Sequence, residues 1–124
     1  MFKDKKVNVS IIIPCRNEEK FIARCLDSII ANDYPKDRLE ALVVGGMSKD
    51  ETKRIIERYT QQYPFIKLLD NSKKIIATAM NIGIKHASDE IIMKVDAHST
   101  YPKIIYQIVR SISKSIKRII SVDY

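Results

Sequence analysis

The chain has 124 residues, 45% of them hydrophobic and 30% charged, which fits one soluble globular domain and excludes a disordered or fibrous chain. With 22 basic and 15 acidic residues, the net charge of +7 and isoelectric point near 9.4 suit an anionic partner: a nucleotide, a nucleic acid or a membrane surface. Two cysteines, Cys15 and Cys25, lack CxxC or zinc spacing, so free thiols in a reducing compartment are expected.

The start, MFKDKKVNVS, is charged and runs straight into a strand, so no signal peptide is expected; nor does any stretch reach the roughly 18 apolar residues of a membrane span. VNVSIIIP, Val7 to Pro14, is short, β-branched and closed by proline, and reads as a buried strand. In the next segment Phe21, Ile22, Cys25, Leu26, Ile29 and Ile30 recur at helical spacing, with Asn17 as cap and Glu18 and Glu19 at the positive end of the dipole. DYPKD, Asp33 to Asp37, is a turn. LEALVV, Leu39 to Val44, is a second strand that stops at Gly45-Gly46, and SKDE, Ser48 to Glu51, reads as a capping box opening a helix with Ile55, Ile56, Tyr59 and Tyr63 inward. FIKLL, Phe65 to Leu69, a helix from about Ile75 to Ala87, and EIIMKV, Glu90 to Val95, continue the alternation. The economical fold is α/β with a largely parallel sheet and right-handed crossovers.

The last segment, KIIYQIVRSISKSIKRII, puts Ile104, Ile105, Ile108, Val109, Ile112, Ile116, Ile119 and Ile120 on one helical stripe opposite Lys103, Arg110, Lys114, Lys117 and Arg118. It is expected to pack on the sheet with its basic face solvated, and a contact with a membrane surface is the other reading. The basic residues lie mostly on helix faces without interleaved aromatics, so nucleic acid is not the expected partner.

In an open parallel sheet, ligands gather at the carboxyl ends of the strands, beside the unpaired N–H groups of helix N-termini. That rule selects PCRNEE after the first strand, GGMSKDE after the second and DAHSTYP after the fourth. Each also has a plain structural reading, as helix cap, capping box or tight turn. No GxGxxG, Walker or Ser/His/Asp pattern occurs, and His86 sits near a helix end. Asp96 offers a hard oxygen and His98 a neutral nitrogen, a set that suits Mn²⁺, or Mg²⁺ shared with phosphate oxygens. The alternative is that Asp96 caps a turn and His98 is a surface histidine.

VSIIIPCRNEEKFIARCLDSI, SKDET and NIGIKHASDEIIMKVDAHSTYP together resemble the family 2 glycosyltransferases, from about Val9 to Tyr101. The Gly-Met-Ser after the second strand and the Asp-Ala-His-x-x-Tyr-Pro ending are most similar to the succinoglycan-type glucosyltransferase branch. The resemblance implies a GT-A fold, a Rossmann-like three-layer sandwich of which residues 1–124 would be the N-terminal, nucleotide-sugar-binding half. It implies a nucleotide-diphosphate sugar donor, a divalent metal (Mn²⁺ or Mg²⁺) and inversion at the anomeric carbon. By position, Pro14, Cys15, Arg16, Asn17 and Glu18 would line the nucleotide pocket, with Ser48 and Asp50 at its border. Asp96 and His98 would hold metal and diphosphate, and Lys73 or Lys74 would reach phosphate. Asn81 and Gly83 match the family's third-helix pattern and are read first as packing and backbone fit, with contact to the donor as the other reading.

Two departures from the family pattern stand out. Gly45 occupies the place of an aspartate that contacts the base, and losing a charged acceptor costs on the order of 1.5–3 kcal/mol, roughly tenfold in affinity or more, so base selectivity should weaken. The family domain also continues past the metal motif into the half that binds the acceptor and supplies the general base. The expected activity is therefore an inverting, UDP-sugar-dependent transferase core for polysaccharide or cell-envelope glycan, with a glycan or lipid-linked acceptor, in the cytoplasm, with the inner face of the membrane as the other location. The alternative is a catalytically inactive nucleotide-binding or interaction module, and a homodimer through the C-terminal helix is a further expectation.

Overall fold

The computed structural model describes residues 8–32, 34–45, 48–71, 76–86, 91–97 and 118–122. Among the described residues five strands form one sheet in the order β3-β2-β1-β4-β5, and their pairings are all parallel. In chain order the elements are β1 (Val9–Cys15), α1 (Ile22–Ala31), a 3₁₀ turn (Lys36–Arg38), β2 (Leu39–Gly45), α2 (Thr52–Gln62), β3 (Ile66–Asp70), α3 (Ile76–His86), β4 (Ile91–Val95) and β5 (Arg118–Val122).

Strand side chains alternate between two faces. Val9, Ile11, Ile13 and Cys15 of β1 join Leu39, Ala41 and Val43 of β2 in a larger core that takes Ile22, Cys25, Leu26 and Ile29 of α1 and Ile56 of α2. The intervening residues Ile12, Leu42, Val44 and Ile92 form a second core on the opposite face, beneath Ala79 of α3. The apolar runs in the sequence are continuous because β1, β2 and β4 are buried on both faces. Each such Ile or Leu contributes roughly 1.5–3 kcal/mol by leaving water.

Gly83 is buried where α3 crosses β1. A Cβ there would lie 2.6 Å from Ile12 Cγ2, so the helix can pack this close only on glycine. The packing reading of Gly83 is what the structure shows, and Asn81 is exposed.

The C-terminal expectation changes. Arg118–Val122 is a strand that pairs with β4, Met93 beside Ile120, so Ile119 and Ile120 do not end a helical stripe. RIISV is β-branched and short, and two isoleucines in a row satisfy a strand as well as a helix; pairing along the free edge of β4 decides the matter. Residues 103–117, which carry the rest of the expected amphipathic helix, lie outside the described residues, as do the membrane and dimer contacts expected of it. Among the described residues no helix is long and apolar enough to cross a membrane.

Candidate functional site

The chain runs outward from β1 through β2 to β3 and then returns to place β4 on the other side of β1. The crevice of such a sheet opens where the order reverses, above the carboxyl ends of β1 and β4. Asn17 follows β1 and Asp96 follows β4, so the reversal point lies between the loops singled out from sequence.

The loops after β1 and β2 are joined to each other. The N–H of Asn17 donates to Ser48 Oγ at 2.9 Å, and the N–H of Lys49 donates back to Asn17 Oδ1 at 2.8 Å. The N–H of Glu18 donates to Thr52 Oγ1 at 2.8 Å, that of Glu19 to Asp50 Oδ2 at 3.3 Å, and that of Glu51 to Glu19 Oε1 at 2.8 Å. Asp50 Oδ1 accepts from the N–H of Thr52 at 3.0 Å and from its hydroxyl. Each loop thus supplies the side chains that satisfy the other's backbone donors.

This clasp revises the local readings. Ser48 and Glu51 do not form a capping box: α2 begins at Thr52 without a cap from its preceding residue, and Ser48 serves Asn17 across the gap. Asn17 is not the residue preceding α1, which is Phe21; the first turn is wound on the carbonyl of Glu18, 2.9 Å from the N–H of Ile22. Asn17 has φ of 54°, a left-handed conformation that asparagine tolerates better than most residues. The N–H groups of residues 17–19, 51 and 52 are engaged within the protein, so these particular donors are not open to a phosphate.

Desolvation tends to raise the Asp50 carboxyl, but the hydrogen bonds from Thr52 and Glu19 outweigh it and hold it below its ordinary range. Cys15 is buried in the larger core. Burial first, and then the negative charges of Glu18, Cys25 and Asp50, push its thiol up to about 12. Cys25 is likewise pushed up to about 12 by burial, then by Asp96 and Glu18. Both thiols are protonated at neutral pH and neither is a nucleophile. Cys25 Sγ instead donates to the carbonyl of Asp96 at 3.6 Å, tying α1 to the end of β4.

Arg16 is exposed, and Pro14 and Glu18 are half-buried around the start of the loop. Gly45 closes β2; its carbonyl accepts the N–H of Asn71 at 2.7 Å, and a Cβ there would meet only Leu68 Cδ1 at 3.5 Å and Leu69 O at 3.9 Å. Asp96 has 45% of its side chain exposed, with Lys94 Nζ 3.5 Å from Oδ1. Lys73, Lys74 and His98 lie outside the described residues. Among the described residues no three His, Cys, Asp or Glu side chains converge as a metal cage. Asp96 alone still suits Mg²⁺ or Mn²⁺ held by one carboxylate and completed by phosphate and water.

Sequence reasoning named Thr52 only as part of a motif and did not single out Lys94. Thr52 is 1% exposed, and a threonine at the mouth of a helix, two residues after an aspartate, is the signal that marks it.

Residues 10–122 match the family model described as Glycosyl transferase family 2. The chain belongs to that family. Among its family 2 relatives, a dolichyl N-acetyl-alpha-D-glucosaminyl phosphate 3-beta-D-2,3-diacetamido-2,3-dideoxy-beta-D-glucuronosyltransferase of Methanococcus voltae is 39% identical over 97 residues, covering 77% of this chain and 30% of that protein. The succinoglycan biosynthesis protein ExoA of Rhizobium meliloti is 32% identical over 94 residues, covering 74% and 28%. The mannosyltransferase PcManGT of Pyrobaculum calidifontis, solved with GDP-Man and Mn²⁺, superposes with a TM-score of 0.75 at 31% identity, covering 82% of this chain and 30% of that one. TarS 1-349 of S. aureus with UDP-GlcNAc gives 0.75 at 27%, covering 84% and 30%. The fold of this family 2 chain is GT-A, and the chain spans about 30% of the length of these relatives.

Proposed function

We propose that these residues form the donor-binding part of an inverting glycosyltransferase that takes a nucleoside-diphosphate sugar, a UDP-sugar by preference. The observation that carries the reading is Asp96, a half-exposed carboxylate at the end of β4, where the strand order reverses and beside the preassembled clasp. The GDP-Man, UDP-GlcNAc and Mn²⁺ bound by structural neighbours support it.

A divalent ion at Asp96 would supply neutralising charge to the diphosphate leaving group. Asp96 would hold that ion, with His98 as the second ligand in this reading. Lys94 sets a fixed cation beside the same carboxylate. Pro14, Arg16 and Glu18 border the nucleotide, while Asn17, Ser48 and Asp50 hold the shape of that border. Cys15 contributes through core packing. The general base is assigned to none of the described residues. The acceptor is a glycan or lipid-linked sugar, in keeping with the dolichyl, poly(ribitol-phosphate) and succinoglycan names among the relatives.

Gly45 favours a second reading, a nucleotide-binding module without transfer activity, because the end of β2 carries no base-reading carboxylate. Calorimetric titration with UDP, with and without Mn²⁺, tests the donor site: binding should require metal and be lost in Asp96→Ala. Metal-independent UDP binding, or no binding, would sink the first reading. Sugar transfer from radiolabelled donor then separates enzyme from inactive module.

A further inference from the structure

Gly45 and Asp70 are register partners at the carboxyl ends of β2 and β3. Alternation puts both on the side of α1 and α2: Ala41 and Val43 on β2, and Ile66 and Leu68 on β3, pack with the larger core, and the two terminal positions continue those rows. Neighbouring strands lie about 4.8 Å apart. The carboxylate of Asp70 therefore rises one strand away from the place where Gly45 leaves a side chain out.

Gly45 has room for a side chain beside Leu68. A Cβ on Gly45 would make only ordinary contacts, and its backbone is not in the left-handed region. Asp70 is exposed and makes no hydrogen bond or ion pair among the described residues. It thus differs from Asp50, whose oxygens are taken up by Thr52 and Glu19, and from Asp96, which faces Lys94. Of these three carboxylates at the carboxyl edge, Asp70 is the one whose oxygens no other described residue takes up.

On the reading that phosphates sit at Asp96, a nucleotide lying along this edge crosses β1 and brings its base over β2 and β3, about 14 Å from β4 at three strand spacings. We propose that Asp70 reads the base of the donor, accepting its ring N–H in the place that Gly45 leaves vacant. An ionised carboxylate only accepts hydrogen bonds. Uracil presents N3–H to it, and guanine presents N1–H and an amino N–H. Cytosine N3 and adenine N1 present lone pairs at the same edge, which the carboxylate repels. The site therefore selects uracil- and guanine-type donors by one attraction and one repulsion, and the loss of selectivity that Gly45 alone would cause is offset from the neighbouring strand.

The test titrates the whole chain with UDP, GDP, CDP and ADP in the presence of Mn²⁺, for wild type and Asp70→Ala. Wild type should bind UDP and GDP about tenfold or more tighter than CDP and ADP, the scale of one hydrogen bond to a charged acceptor. Asp70→Ala should weaken UDP and GDP and tighten CDP and ADP, so that the four converge, and the retained binding of CDP shows that the variant is folded. An unchanged UDP-to-CDP ratio, or equal tightening of all four through loss of a negative charge, would overturn the assignment while leaving the donor site intact. Absence of binding by any of the four would overturn the donor-site reading itself, and this assignment with it.

Discussion

Along one edge of the sheet, the loops after β1 and β2 use their polar side chains on each other, whereas the ends of β3 and β4 present carboxylates that the other described residues do not fully engage. Both regions look alike in sequence: short, polar, placed where apolar runs stop. The difference lies in partners. Asn17, Ser48, Asp50 and Thr52 have theirs across the gap, and Asp70 and Asp96 face outward. A polar motif at a strand end divides into residues that hold the shape of a site and residues left over to bind, and the hydrogen bonds draw the line.

The comparison breaks most severely at Thr52, which is buried and both accepts from Glu18 and donates to Asp50. Thr52→Val keeps the volume and removes the hydroxyl that accepts from the Glu18 N–H and donates to Asp50, so denaturant unfolding should show a loss of about 1–3 kcal/mol, with Thr52→Ser close to wild type. An equal loss in Thr52→Ser would assign the effect to packing instead. Asn17 gives a smaller break because it is exposed. Asn17→Ala should cost about 1–2 kcal/mol through the left-handed backbone and the lost acceptor. Asn17→Gly, which removes only the backbone penalty, should recover part of that in the same measurement.

The smallest effect is a pH dependence. The folded-state pKa of Asp50 is depressed, so its contribution is present above the ordinary value of 3.8 and is lost as the pH falls through the lowered folded value. Because the group is largely solvated, the contribution is modest. The difference in unfolding midpoint between wild type and Asp50→Asn should shrink toward zero below pH 3.8; a difference that persists undiminished into acid would mean that charge is not what Asp50 brings to the clasp.

Much of the scaffold was readable because β1, β2 and β4 are buried on both faces and write themselves as β-branched runs, each ended by a proline, a glycine or an aspartate. Those features are local. The clasp was not readable, because Ser48 and Asn17 meet only when two parallel strands set them side by side, and a serine three residues before a glutamate satisfies the local capping pattern equally well. Gly45 was visible as an omission, but the carboxylate next to it depends on register, which sequence does not state. The end of the chain was misread for a similar reason: Ile119 and Ile120 fit a stripe until the free edge of β4 claims them.

The central position of β1 also bears on how the molecule assembles. Val9 lies between Leu39 of β2 and Ile91 of β4, partners reached by chain of very different length. During synthesis β1, β2 and β3 can pair first, while the other edge of β1 waits for a strand not yet made. That edge is a row of unpaired backbone groups open to the wrong partner. Each parallel pairing also closes a long loop before its contacts repay the entropy, so the sheet folds slowly for its size. The interval before β4 docks is when this chain is most exposed to aggregation.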